Sequence, residues 1–398
     1  MNFSNIDVFP MGTKINSEGV LEIGGCDVLS LAKAHGTPLY VYDEKTIRSM
    51  AQTFVGEFTS RYPKTSVAYA SKAFLNLAMA KIANEEKLSL DVVSGGEIAV
   101  AHAAGFPCSK MYFHGNNKTP IELSEAIDLG VGTIVVDGFQ ELDILNNIAK
   151  SKNANQGIML RLSPSVDAHT HAHTTTGILD VKFGFSIETG ESSIAIKQAL
   201  GSSNLTLQGI HFHLGSPIFE LEPYSNAIDT VFDYLKPFLH QGLDLKKFSP
   251  GGGFAIGYLQ RQLPPSIAGY ADVITSMLKT KCDDLGIDYP ELIIEPGRSI
   301  VGRAGVAIYT VGVTKVIPNV RTYVSLDGGM GDNIRPALYE AQYEAVAANK
   351  MSDTDFETVT LAGKYCETGD ILVKDVSLPI LDSGDLVAIP ASGAYCIA

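Results

Sequence analysis

The chain has 398 residues, of which 45% are hydrophobic and 19% charged, with 38 glycines, a composition that folds around a large core rather than staying disordered. Its 30 Lys and Arg are outnumbered by 44 Asp and Glu, and the net charge of -14 repels a phosphate backbone, so nucleic acid is not an expected partner. Asp7, Pro10, Lys14 and Glu18 break the N-terminal stretch, no later run reaches a membrane span, and Cys26, Cys108, Cys282, Cys366 and Cys396 form no C-x-x-C pair. The expectation is a soluble, cytoplasmic protein without a disulfide framework or zinc knuckle.

From residue 67 to 296 one cadence repeats: a short β-rich run, a polar or glycine-containing corner, then a helical pattern. The runs are VAYA (67–70), LSLDVV (88–93), MYFH (111–114), TIVVD (133–137), GIMLRL (157–162), LQGIHFHL (207–214), the weak KKFS (246–249) and ELIIE (291–295). After the first, Phe74, Leu77, Ala78 and Ile82 recur at helical spacing and predict one packing face; Gly96–Ala104, Pro120–Leu129 and Phe139–Lys150 predict further crossover helices. Eight such units predict a TIM-type (β/α)8 barrel, with an open doubly wound sheet as the alternative.

Past residue 300 the rhythm changes to VAIYTVGVTKVI, RTYVSLDGG, TVTLAG, DILVKDVSLPI and DLVAIP, strand-like runs with little room for helices between them. A second, β-rich domain follows, and the early LYVYDEK run joins it, so that this domain is built from both chain ends. The predicted division is 1–44 for its N-terminal part, 45–299 for the barrel and 300–398 for the remainder. The charge-rich stretch from Glu340 to Asp355 reads as one helix or an excursion.

In a barrel of this type the strand C-termini form the active face. That rule sends Lys72, Asp91, Ser94, His114, Asn116, Arg161, His213, Ser216, Gly251, Gly252, Gly253, Glu295 and Arg298 to one rim. Lys72, desolvated at an apolar mouth, would be a nucleophile toward a carbonyl. The glycine triplet, with Ser216 and Arg298, would cradle one phosphate. Neither G-x-x-x-x-G-K-[ST] nor G-x-G-x-x-G is present, which argues against a nucleoside triphosphate or dinucleotide. Glu295 and Arg298 read either as a salt bridge or, if an aromatic nitrogen cofactor sits at the rim, as a carboxylate beside its ring nitrogen, with His213 against the ring. The sets His169, His171, His173 and His211, His213 invite a metal, yet no H-E-x-x-H occurs, and none is predicted.

YASKA, DVVSGGEI, GNNKT, THAHTTTG, VKFG, HFHLGS, GGG, EPGR, DGGMGDNIRPALY, CETGD and GAY follow one another in an order that spans nearly the whole chain. In that order the chain resembles the fold-type III pyridoxal-phosphate enzymes, a family of diaminopimelate, ornithine and arginine decarboxylases with alanine racemase as a more distant member. It is most similar to the diaminopimelate decarboxylases. The resemblance implies pyridoxal 5'-phosphate as cofactor and decarboxylation of meso-2,6-diaminopimelate at its D centre to L-lysine and carbon dioxide. Another basic amino acid as substrate, or noncatalytic carriage of the cofactor, are the rival readings.

The same resemblance implies roles. Lys72 would bond the cofactor aldehyde, His213 would stack on the ring and Glu295 would meet its nitrogen. Ser216, Gly251, Gly252, Gly253, Arg298 and Tyr395 would surround the phosphate, with Asp91 and Arg161 in support. Arg298, Arg335 and Tyr339 would bind the distal carboxylate of the substrate. Cys366, a candidate proton carrier, and Glu367, facing the substrate amine, would arrive from the neighbouring subunit of a homodimer. CETGD departs from the commoner C-E-S-G-D but keeps the acid and a hydroxyl. Family members also continue past GAY; only if that final segment of the β domain is truly absent from the protein are an exposed strand edge and a weaker dimer expected.

Overall fold

The computed structural model of the chain describes residues 6–166 and 180–397. Two compact units divide it: Met1–Met50, Ile256–Pro264 and Arg298–Ala398 form one, and Ala51–Ala255 with Pro265–Gly297 form the other. The stretch Ile256–Pro264, inside the predicted barrel span, is thus counted with the β-rich unit. Among the described residues no helix is long and apolar enough to cross a membrane.

The second of these units is a closed parallel barrel. Its strands are β1 (Thr65–Ala70), β2 (Ser89–Val92), β3 (Met111–Phe113), β4 (Thr133–Val136), β5 (Gln156–Ser163), β6 (Leu205–His211), β7 (Lys247–Gly251) and β8 (Glu291–Ile294). Each pairs with the next in parallel, and Leu292–Ile294 of β8 close the ring against Thr65–Val67 of β1. Each of the eight predicted runs falls on one of these strands. Ala68, Tyr112, Val135, Met159 and Ile293 meet in the barrel interior, one side chain from each of five strands, as the filled core of such a barrel requires.

Helices α1 (Leu77–Glu85), α2 (Gly95–Ala103) and α3 (Pro120–Asp128) begin at side-chain caps. Asn76 accepts from Met79 N, Ser94 accepts from Glu97 N, and Thr119 forms a reciprocal capping box with Glu122. The packing face of α1 differs from the predicted one. Met79, Ala80 and Ala83 are buried, whereas Leu77 is 53% exposed. Because the cap at Asn76 starts the helix only at Leu77, Phe74 lies before it in extended backbone and does not share its periodicity.

The β-rich unit is organised on the long strand β9 (Gly305–Ile317). Its first residues pair with Leu39–Tyr42 on one side, and Ala307–Thr310 pair with Leu386–Ile389 on the other. The N-terminal segment therefore contributes a strand to this sheet, as predicted. Strands β10 (Arg321–Leu326), β11 (Phe356–Ala362) and β12 (Ile371–Pro379) continue it. Tyr309, Val324, Leu326, Leu361 and Leu372 share a buried cluster there with Tyr258. The charged stretch after Glu340 is an excursion, carrying only the two-residue strand Val346–Ala347 after the short helix Arg335–Tyr339.

Candidate active site

Strand β1 ends at Ala70, and a single 3-10 turn, Ser71–Ala73, carries Lys72 at the C-terminal edge of the barrel. Its Nζ donates to Asp91 Oδ2 on β2, an ion pair whose side chains are 41% and 1% exposed. The sequence suggested an amine in apolar surroundings; here a buried carboxylate faces it.

Glu295 follows β8 and is buried. His211 Nε2, at the end of β6, lies 3.1 Å from Oε2, and Ser249 of β7 donates to Oε1 at 2.8 Å. His114 Nε2, just past β3, is 3.5 Å from Glu295 Oε1 and 3.9 Å from Asp91 Oδ1. The rings of His114 and His211 meet edge to face with centroids 4.8 Å apart. Burial alone would raise the Glu295 carboxyl, but His211 and His114 overcome it and bring it down to about 2. Burial holds His114 well below the usual histidine value, and the nearby Lys72 and Arg161 cations add to the effect. One ligand atom from each of His114, His211 and Glu295 lies within 4.8 Å of the others, the spacing of a metal trio. An imidazole N–H directed at a carboxylate accounts for the closest of these contacts without an ion.

The glycine turn after β7 is fixed by sterics. Gly251 has φ +77°, and a Cβ there would fall 2.7 Å from both His213 Nδ1 and the Phe212 carbonyl; at Gly252 a Cβ would fall 2.2 Å from the Glu295 carbonyl oxygen. No side chain fits at either position, and the turn is confined to glycine. Gly252 N donates to His213 Nδ1 at 3.2 Å, which makes that nitrogen an acceptor and leaves any ring hydrogen on Nε2. Burial, with the Arg161 and Lys72 cations, pushes His213 down to about 3, so its ring is neutral at ordinary pH.

Arg161 of β5 is buried, with Nε 3.8 Å from Asp137 Oδ1 and its guanidinium 4.3 Å from the Phe183 ring. Ser216 is half-buried on the loop after β6. Lys72, Asp91, Arg161, His213, Gly251, Gly252, Gly253 and Glu295 thus lie at the strand ends of one barrel or in the turns that follow them.

The remaining predicted residues belong to the β-rich unit. Arg298 is buried, donates to Tyr258 Oη and lies 4.8 Å from the centroid of the Tyr395 ring. Arg335 is 6% exposed, 4.4 Å from the Tyr258 ring and 5.4 Å from the Tyr343 ring, and donates to Tyr343 Oη. Tyr339 is half-buried at the end of the Arg335–Tyr339 helix. Cys366 and Glu367 are exposed on the loop between β11 and β12. Buried Asp370 ties that loop down, accepting from Tyr365 N at 2.9 Å and from Met330 N at 2.6 Å.

Several participants, Tyr343 among them, were not given these places from sequence. His114 was put at the rim without a role, and His211 was weighed only as a metal ligand; the His211, His213 spacing of two residues along β6 was the available signal. Ser249 sits in the weakest predicted strand, and Tyr258 in a segment assigned to the other unit. His169, His171 and His173 lie outside the described residues.

Comparison with known proteins agrees over the whole length. Residues 45–302 match the family model described as pyridoxal-dependent decarboxylase, pyridoxal binding domain. The diaminopimelate decarboxylase of Bacillus subtilis is 47% identical over 381 residues, covering 96% of this chain and 87% of that protein. That of Synechocystis is 44% identical over 400 residues, covering 98% and 85%. Among solved structures, diaminopimelate decarboxylase from M. jannaschii superposes with a TM-score of 0.91 at 33% identity, covering all of this chain (100%) and 90% of that one. A second structure of it, in complex with L-lysine, gives a TM-score of 0.89 at 32% identity, with the same coverage of 100% and 90%. The chain belongs to the pyridoxal-dependent decarboxylases, within their diaminopimelate decarboxylase family.

Proposed function

We propose that the chain decarboxylates meso-2,6-diaminopimelate at its D centre, yielding L-lysine and carbon dioxide, with pyridoxal 5'-phosphate as cofactor. The barrel rim fits that group: an amine for its aldehyde, an ionised buried carboxylate for its ring nitrogen, a neutral imidazole, and a turn whose backbone admits no side chain. When bound, the cofactor supplies an aldehyde for amine exchange and a pyridinium ring that draws electrons from the carbon losing carbon dioxide.

The chain's own residues do the rest. Lys72 Nζ would hold the cofactor aldehyde, and Asp91 positions that nitrogen at the strand end. Glu295 would hold the ring nitrogen of the bound cofactor in its protonated form. His213 offers a flat, uncharged face, and Gly251–Gly253 with Ser216 offer donors to the phosphate. Arg161 supports this shell. Arg298 and Tyr395 carry the phosphate contacts that the family resemblance assigns, Arg298 also reaching substrate. Cys366 and Lys72 are the two candidates for carrying the proton to the carbon, and Glu367 would meet the substrate amine. Cys366 and Glu367 are exposed in a single chain, and the family resemblance assigns them to the site of a second copy, the active form being a homodimer. Its place is the cytoplasm.

The observation that carries the substrate assignment is Arg335. Among the described residues no carboxylate ion-pairs with this buried guanidinium, and its partners are the tyrosines Tyr258 and Tyr343. An unneutralised buried cation favours an anionic ligand, and the distal carboxylate of diaminopimelate, which ornithine and lysine lack, is one; Tyr339 shares that role. Purified protein supplied with pyridoxal phosphate should turn yellow and release lysine and carbon dioxide in equal amounts from meso-diaminopimelate, and neither from ornithine or arginine. Carbon dioxide from ornithine alone would overturn the substrate, and absence of the yellow form would overturn the cofactor.

A further inference from the structure

The surroundings of Glu295 are more ordered than a ring-nitrogen contact requires. An ionised carboxylate is only an acceptor, so each neighbour within hydrogen-bond reach must present a hydrogen. His211 Nε2 faces Oε2 at 3.1 Å, and His211 Nδ1 has no hydrogen-bond partner among the described residues. With the hydrogen on Nε2, the unpartnered atom is a bare lone pair; with it on Nδ1, the buried ring would carry both an orphaned N–H and a repulsive contact with the carboxylate. The Nε2–H tautomer is therefore fixed by the site.

Ser249 is oriented in the same way. Its oxygen accepts from Gly251 N at 3.1 Å, which directs its own hydrogen to Glu295 Oε1 at 2.8 Å. One carboxylate thus receives two donated bonds, on different oxygens, from the ends of β6 and β7. His114 Nε2 faces two carboxylate oxygens, at 3.5 Å on Glu295 and 3.9 Å on Asp91, so it too presents N–H and stands between the acid that pairs with Lys72 and the acid after β8.

We propose that His211 and Ser249 are positioning residues that hold Glu295 as a hydrogen-bond acceptor and thereby leave the ring-nitrogen proton of the cofactor on nitrogen. The inference rests on the proposed contact of Glu295 with that nitrogen. The physical cause is competition for one proton. Burial favours a neutral carboxyl at Glu295, while donated hydrogen bonds reduce the basicity of its oxygens and favour the anion. Remove the donors and burial prevails: the carboxyl retains the proton, the ring becomes a neutral pyridine, and its pull on electrons weakens.

The test uses holoenzyme loaded with pyridoxal phosphate carrying 15N at the ring nitrogen, whose chemical shift reports protonation independently of turnover. Wild-type enzyme at neutral pH should give the protonated value. His211→Leu and Ser249→Ala should move the shift toward neutral pyridine and lower kcat by about tenfold or more, while His211→Gln, which keeps an N–H, should restore the shift. If His211→Leu does not fold, Ser249→Ala, which removes one hydroxyl, decides alone. A protonated wild-type signal that neither variant moves overturns the inference and leaves the cofactor role of Glu295 standing. A wild-type signal already at the neutral value overturns both.

Discussion

The barrel rim and the tyrosine-walled cluster of the β-rich unit treat buried charge in opposite ways. At the rim every charge is answered from within the fold: Lys72 by Asp91, Glu295 by His211, Ser249 and His114, Arg161 by Asp137. In the other cluster Arg335 is enclosed by the rings and hydroxyls of Tyr258 and Tyr343, with no acidic neighbour in ion-pair reach among the described residues. A self-compensated set can hold one resident group in a fixed ionisation state, whereas a cation stacked on tyrosines is stabilised without being neutralised and keeps its attraction for an incoming anion.

The largest effect should come from removing the exposed amine of the rim. Lys72→Ala should abolish the yellow absorbance and lower kcat by about a thousandfold or more, measured by carbon dioxide release. Next, Arg335→Gln should raise KM for diaminopimelate by about a hundredfold while changing kcat less; an unchanged KM would erase the contrast between the two regions. Asp370→Ala would leave Tyr365 N and Met330 N without their acceptor, at a cost of about 1 kcal/mol for each lost hydrogen bond, seen as a lower Tm and faster proteolysis at the Cys366 loop.

The smallest effect concerns acid. His213 is held neutral in the fold, down to about 3, while in the unfolded chain it takes up a proton near 6.5. Its contribution is therefore present above 6.5 and is lost as pH falls from there toward 3. Glu295, lowered from 4.5 to about 2, contributes above 4.5 and loses that contribution as pH falls toward 2. Both slopes have the same sign. Thermal melts from pH 7 to 4 should show a smaller decline for His213→Gln than for wild type, since Gln does not titrate.

The barrel was legible because strands covered on both faces write themselves as apolar runs. Where the signal was faint, a side chain explains it. Lys247 makes β7 look polar, yet its amine donates to Thr133 Oγ1 at 2.8 Å and lies 5.1 Å from the Tyr112 ring. The phase of α1 was misjudged because the cap at Asn76, rather than the apolar spacing beginning at Phe74, decides where the helix starts. Position after each strand was enough to place Lys72, Asp91, His213 and Glu295. It could not place Tyr258 and Tyr343 beside Arg335: Tyr258 lies far away in sequence, and Tyr343, though only eight residues on, follows the end of the Arg335–Tyr339 helix, so no helical periodicity joins them and the packing of the β-rich unit does.

The glycine turn has a consequence for which cofactors the barrel admits. Glu295 N donates to the Gly251 carbonyl at 3.0 Å, so the turn and the acid sit on neighbouring strands whose separation is set by main chain. Under the proposed assignment, these two stations grip opposite ends of one molecule. They act as a gauge fixed by main chain up to the length of the acidic side chain: an analogue with a lengthened phosphate arm would fail to seat at both. Selectivity for cofactor length is thereby built into the sheet itself.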